Sequence, residues 1–132
     1  MSEEYSKVHV WVGINTDKDF NSYFELDHSD PDRDIDDPKY KICQFCKDID
    51  KKWYDEDFIG VYRNPELIDV HILLEELSVD EKVLLEIKNI CIEKGMAKAN
   101  AMFFYMDPNV VINDERKLYN KLHYIGLFDT DL

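Results

Sequence analysis

The stretch KVHVWVGI, residues 7–14, decides how this chain folds. It is short and rich in β-branched residues, and it predicts a β-strand. Successive side chains of a strand point to opposite faces, so the three valines and Ile14 share one face and Trp11 lies on the other. That second face is either covered by a helix, which makes Trp11 part of the core, or partly open, which makes it an anchor for a protein partner. The core interpretation is favoured.

Apolar periodicity and turn residues beyond this strand predict further helices and strands. Thr16 caps one predicted helix, and Asp37, followed by a proline, starts a second. Ser78 and Glu81 form a capping box at the clearest helix, which Gly95 ends. The predicted helices cover 16–26, 38–49 and 79–94, and the predicted strands cover 57–63, 100–106 and 121–128, with 67–77 a strand that gives way to a helical turn.

The order of these elements predicts the α+β class, with helices packed on a largely antiparallel sheet. A chain of 132 residues is the size of one domain, so we expect a single domain over residues 1–132. Apolar residues make up 45% of the chain, which is enough for a core that needs no metal or disulfide.

Charge narrows the classes of partner. The chain carries 29 acidic and 16 basic residues, a formal net charge of −13. Nucleic acid and anionic membranes repel such a protein, so we expect neither as a partner and expect basic proteins or cations instead. We find no secretory signal and no apolar run of about 18–20 residues, and therefore expect a cytoplasmic protein with reduced thiols.

Cys43 and Cys46 form a single C-x-x-C motif. A zinc site needs a second pair of ligands, and nothing in the spacing shows that Cys91 supplies one. A redox motif begins a helix after a strand, whereas these cysteines lie well inside a predicted helix. Packing is therefore the favoured role, and we expect no bound metal and no cofactor.

The segment 27–37 is an acidic loop with six aspartates and one arginine. Aligned with a calcium-binding EF-hand, it places Ile35 at the glycine position and Lys41 at the bidentate glutamate position, so calcium is disfavoured. The loop is either a solvated surface or a docking surface for a basic partner. On the docking interpretation, the contact residues are Asp32, Asp34 and Asp36.

A second acidic segment interleaves its charges with aromatic rings: Tyr54, Asp55, Glu56, Asp57 and Phe58. It is either the start of a strand with solvated carboxylates or an aromatic anchor ringed by charges that steer a basic partner. The second alternative makes Tyr54, Asp55 and Asp57 contact residues.

Catalytic motifs are missing from the sequence. The four histidines are scattered, no serine lies in a glycine-flanked nucleophile elbow, and none of the four glycines forms a phosphate-binding loop. We therefore expect a protein that is not an enzyme.

Several segments resemble a bacterial family known as immunity protein 22. The start, from Val8 to Gly13, is followed by Phe20 and by Tyr23-Phe24, as in that family. The matching segments in the middle and at the end are 45–48, 54–58, 100–105 and 124–128. The family is described by an α+β fold and a signature tryptophan, and Trp11 looks like that residue.

Members of this family are predicted to neutralise toxins of polymorphic toxin systems. The resemblance implies that this chain is a non-catalytic immunity protein that binds a cognate toxin. A nuclease-like toxin has a positive cleft, so an acidic surface suits that role. Two alternatives stay open: a small metal-binding or enzymatic domain that uses the cysteines, histidines and acidic loop, and an acidic adaptor with no toxin partner.

Overall fold

Five strands form one antiparallel sheet in the computed structural model, which describes residues 6–107 and 109–130. The strands are β1 (Lys7–Gly13), β2 (Ile59–Asp69), β3 (Lys98–Tyr105), β4 (Leu118–Tyr119) and β5 (Leu122–Asp129). Their order across the sheet is β2-β3-β1-β5-β4. The sheet and its few helices agree with the predicted α+β class, and the predicted antiparallel pairing is confirmed.

The helices are shorter than the sequence predicts. They are α1 (Gln44–Asp48), α2 (Val70–Leu74) and α3 (Glu81–Glu93), with 3-10 helices at Phe20–Phe24 and Glu56–Phe58. The helix predicted over 16–26 is only a 3-10 helix, and the helix predicted from residue 38 begins at Gln44. In the described part of the chain no helix is long and apolar enough to cross a membrane.

Aspartate side chains explain why the second predicted helix starts late. Four of them each accept a hydrogen bond from the backbone N–H two residues further on, and such local bonds compete with helix formation. These turns hold 27–39 in an irregular path: Asp27 to Ser29, Asp30 to Asp32, Asp34 to Asp36, and Asp37 to Lys39.

The longest helix, α3, follows its apolar stripe as predicted, but its cap differs. Asp80 is the N-cap residue, and its carboxylate accepts from the Val83 N–H at 3.0 Å. The predicted capping box of Ser78 and Glu81 is therefore wrong by two positions. Gly95 ends the helix as predicted, with φ at +83°, a value that residues with a Cβ rarely adopt.

The central strand β1 carries a separate hydrophobic cluster on each face, as its alternating pattern predicts. Val8, Val10 and Val12 belong to the cluster that includes α2 and α3. Trp11 belongs to the other cluster, together with residues of α1 and of the first 3-10 helix. The two clusters lie on opposite faces of one sheet, so each face of the sheet is covered by different elements.

Two features of the sheet were not predicted. Strand β2 runs through Pro65 and joins the predicted strand 57–63 to the segment that begins at residue 67, with an irregularity in its pairing between Arg63 and Ile68. Strand β4 is also new, and it pairs with β5 through a two-residue turn at Asn120 and Lys121. Both turn residues have positive φ (54° and 69°), which matches the turn geometry that joins tightly paired strands.

Candidate protein-binding surface

Trp53 is a large aromatic side chain that the fold leaves open, with 49% of its surface exposed. It lies between α1 and the 3-10 helix Glu56–Phe58 and borders two depressions. The first, with a volume of about 290 Å³, is lined by Asp55, Phe58 and Asp107 among others. The second, about 270 Å³, is lined by residues of the acidic loop 27–37. We call Trp53 and these two depressions the tryptophan face.

The neighbouring side chain explains why Trp53 points outward. Tyr54 is only 3% exposed, and its hydroxyl donates to the backbone oxygen of Phe24 at 2.5 Å. The next residue is also held, since the Asp55 N–H donates to the hydroxyl of Tyr105 at 2.9 Å. With Tyr54 and Asp55 held in this way, the side chain of Trp53 is left facing solvent.

The structure therefore corrects the predicted role of Tyr54. The sequence presents it as a candidate anchor for a partner, but its ring packs edge-on against Phe45, with ring centroids 5.1 Å apart. Burial raises the pKa of its hydroxyl well above the usual value. Tyr54 holds the segment in place, and Trp53 is the aromatic ring of this segment that is exposed.

Trp11 is likewise a core residue, as the favoured interpretation predicts. It has no exposed surface, and its indole stacks on the Phe103 ring with centroids 4.4 Å apart. Its alternative role as an interface anchor does not fit this burial. The two tryptophans are the same residue type, but Trp11 lies in the core and Trp53 lies on the surface.

Asp55 and Asp57 stay near the surface at the start of the 3-10 helix. Asp55 is partly exposed and caps that helix, since its carboxylate accepts from the Asp57 N–H at 3.0 Å. Asp57 is exposed. Asp55 also borders the first depression beside Trp53, so the acidic and aromatic residues of this segment share one surface.

The fold brings the acidic loop next to this segment. Lys52 lies 2.5 Å from the Asp36 carboxylate, and His28 Nε2 lies 3.3 Å from a carboxylate oxygen of Glu56. These contacts join stretches of chain that are 16 or more residues apart. The two acidic segments named from the sequence are therefore neighbours, with Trp53 between them.

Arg33 neutralises part of the loop from within. Its guanidinium lies 3.5 Å from the Asp27 carboxylate and 3.8 Å from the Asp30 carboxylate. Hydrogen bonds from the Ser29 hydroxyl and from the Lys41 and Ser29 backbone lower the pKa of Asp27 far below its usual value. Asp27 thus closes the loop, and the charges left outermost are those of exposed residues such as Asp32 and Asp34.

Sequence reasoning missed Trp53, although one signal was present. This tryptophan follows Asp50, Lys51 and Lys52 and belongs to no apolar repeat. A large ring that belongs to no apolar face of a predicted helix or strand is a candidate for exposure.

The buried polar groups form no comparable site. His9 and Tyr124 share a hydrogen bond of 2.7 Å inside the Trp11 cluster, and burial lowers the pKa of His9. Both residues are buried, at 2% and 6% exposure. Across residues 6–107 and 109–130, no three histidine, cysteine or carboxylate side chains lie close enough together to hold a metal ion.

Comparison with known protein families gives a match over nearly the whole chain. A family model described as immunity protein 22 matches residues 8–131, nearly the whole chain. The resemblance noted from the sequence is thereby confirmed. No curated protein and no solved structure matches the chain significantly.

Proposed function

Because this chain belongs to the immunity protein 22 family, we propose that it is an immunity protein that binds a cognate toxin in the cytoplasm and neutralises it without catalysis. The observation that carries this proposal is the match of the family model over residues 8–131. The tryptophan face is the proposed binding surface. The net charge of −13 favours a basic partner. Neutralisation then means stoichiometric occlusion of the toxin.

The tryptophan face has the composition of a protein-binding hot spot. Such hot spots consist of an aromatic or arginine side chain that becomes fully buried on binding, surrounded by residues that exclude water. Trp53 already offers half of its surface, and a depression on each side of it has room for side chains of the partner. The backbone next to Trp53 is fixed by the buried Tyr54, which lowers the entropic cost of binding.

Charge complementarity favours a basic partner. Exposed carboxylates lie on both segments that contribute to the tryptophan face: Asp32 and Asp34 on the acidic loop, and Asp57 two residues after Asp55. A toxin that acts on nucleic acid carries a positive cleft, which this surface would attract and cover. Long-range attraction mainly raises the association rate, whereas the buried tryptophan mainly lowers the dissociation rate.

The first test uses the toxin encoded in the open reading frame next to this gene. Trp53→Ala should weaken binding to that toxin by about 2 kcal/mol or more, roughly 30-fold in Kd, chiefly through faster dissociation. Leu85→Ala is the matched control, because Leu85 is 55% exposed and lies on α3, across the sheet. Binding kinetics and denaturation midpoints are measured for both variants.

Two results would count against this assignment. Equal affinities for Trp53→Ala and the native protein would place the contact elsewhere on the chain. A neighbouring gene product that is not bound at all, by native protein of confirmed fold, would remove the toxin-neutralising role and favour the adaptor alternative.

The second test separates steering from contact. Asp32→Asn with Asp57→Asn should slow association severalfold at low salt and flatten its salt dependence, because salt screens such attraction over about 8–10 Å. Glu86→Gln with Glu93→Gln on α3 removes the same charge from the opposite side of the sheet and should leave the association rate close to native. Asp36 is avoided because it is paired with Lys52.

The contrary result is that the two double variants have equal association rates, with the salt dependence of the native protein. That result would mean that the overall charge, and not the tryptophan face, guides the encounter with the partner. A rate that no substitution and no salt concentration changes would mean that the acidity serves solubility alone.

A further inference from the structure

The two cysteines of the C-x-x-C motif lie closer together than the sequence implies. Cys43 is the N-cap residue of α1, and Cys46 is in its first turn, so the predicted position well inside a helix is wrong. Their sulfur atoms are 3.0 Å apart, and the Cys46 N–H donates to the Cys43 sulfur at 3.4 Å. The two cysteines therefore do lie at a helix start, as in redox motifs, although an irregular loop and not a strand precedes them.

We propose that Cys43 and Cys46 are a redox-active dithiol that exchanges with low-molecular-weight disulfides and closes into an intramolecular disulfide. The sulfurs need to approach by only about 1 Å to reach bonding distance. Residues that start a helix and follow in its first turn keep their side chains on one side, so the approach needs no change in chain path. This inference does not depend on the toxin-neutralising role.

The two sulfurs differ in a way that assigns their roles. Both cysteines are buried, but Cys43 keeps 7% of its surface exposed and Cys46 keeps none, so of the two only Cys43 offers an external disulfide any surface. The contact with the Cys46 sulfur, together with a hydrogen bond from the Cys46 N–H, lowers the pKa of Cys43. The same contact and burial raise the pKa of Cys46. Cys43 is therefore the attacking thiolate and Cys46 the resolving thiol.

The exchange proceeds in two balanced steps. The Cys43 thiolate attacks one sulfur of the external disulfide, whose sulfur–sulfur bond breaks, and one thiolate leaves and takes up a proton. Cys46 then gives up its proton, and its sulfur attacks the Cys43 sulfur of the mixed disulfide and expels the second thiolate, which is protonated in turn. One external disulfide is reduced to two thiols, and two protein thiols are oxidised to one disulfide.

Cys91 supplies an internal reference for reactivity. It is fully buried, and burial raises its pKa to about 12. At neutral pH it should be an unreactive packing residue, in line with the general behaviour of buried cysteines. Any reagent that modifies the folded protein should therefore distinguish Cys43 from Cys91.

The test equilibrates the full chain with oxidised glutathione in native buffer, alkylates the remaining thiols after unfolding, and measures intact mass. We expect loss of two hydrogens, one alkylated thiol at Cys91, and a Cys43–Cys46 disulfide in the peptide map. Iodoacetamide at pH 7 should modify Cys43 of the reduced, folded protein more than about tenfold faster than Cys91. Cys91→Ser should still form the disulfide, and Cys46→Ser should stop at a glutathione adduct on Cys43.

Two outcomes would overturn the proposal. In the first, the native protein still has three alkylatable thiols after equilibration with oxidised glutathione, at a glutathione concentration that oxidises the same chain in denaturant. The other is a lasting glutathione adduct on Cys43 of the native sequence, which would show that Cys46 does not resolve it. Both are measured on the unsubstituted protein, so a misfolded variant does not affect the result.

Discussion

Replacing Trp11 by alanine tests whether this residue, which resembles the signature tryptophan of the family, holds the fold or contacts a partner. The side chain has no exposed surface. Five aromatic rings surround it with centroids 4.4–5.9 Å away, and the nearest are those of Phe103 at 4.4 Å and Tyr124 at 5.2 Å. Truncation removes all of these contacts together and leaves a cavity at the centre of the sheet.

Truncating a buried tryptophan of this kind costs about 3–5 kcal/mol. One term works the other way, because the Trp11 Nε1–H has no hydrogen-bond acceptor among the described residues. Burying such a group costs about 1–3 kcal/mol, and the substitution relieves that cost. We therefore expect a loss of about 3 kcal/mol, within the total stability of roughly 5–15 kcal/mol that a domain of this kind has.

Urea unfolding followed by circular dichroism measures this loss. With a slope of about 2 kcal/mol per M, the midpoint should fall by about 1.5 M with the slope unchanged. Trp11→Phe is the matched variant, since it keeps one ring in the cluster and removes the unpaired N–H. It should cost roughly 1 kcal/mol and leave toxin binding unchanged. An unchanged midpoint for Trp11→Ala, with toxin binding lost, would refute the core assignment.

Two further predictions concern the buried polar groups. Burial lowers the pKa of His9 below its usual 6.5, so the unfolded chain takes up a proton first as the pH falls. Stability should therefore fall below pH 6.5, by at most about 1.4 kcal/mol per pH unit from this group, until the lowered pKa is reached; His9→Gln should remove that component of the urea-measured profile. Asn100→Ala should cost about 2–4 kcal/mol, because its side chain accepts from the Asn15 N–H at 2.7 Å and donates to the Asn15 and Asn64 carbonyls at 2.9 and 3.1 Å. Asn100→Asp keeps the acceptor alone, so a midpoint as low as that of Asn100→Ala would show that the lost donor bonds matter most, and a native midpoint for Asn100→Ala would contradict the prediction.

The candidate surface depends on contacts that are distant in sequence, and this limits how much of it can be predicted. The acidic loop 27–37 and the segment around Asp55 and Asp57 were recognised separately by their composition. That they are neighbours follows from the contact of Lys52 with Asp36 and that of His28 with Glu56, which no local pattern contains.

Some features were determined by the sequence itself, because local periodicity carries them. Strand β1 has two apolar faces in its alternation, α3 has its stripe and its terminal Gly95, and β3 and β5 are apolar runs bounded by turn residues. The family resemblance was readable for the same reason, since short motifs keep their order along the chain. The strongly acidic charge also needs no structure to be known.

Other features were decided only by the tertiary structure. Trp11 and Trp53 are the same residue type, and which is buried depends on what the remaining chain places over each one. The local hydrogen bonds of the aspartates shortened the second predicted helix and put Cys43 at its start, beside Cys46. Whether a side chain is buried, and which side chains lie close together, depend on contacts between distant parts of the chain. The tertiary structure therefore decides that Trp53 is exposed and that the sulfurs of Cys43 and Cys46 lie close together.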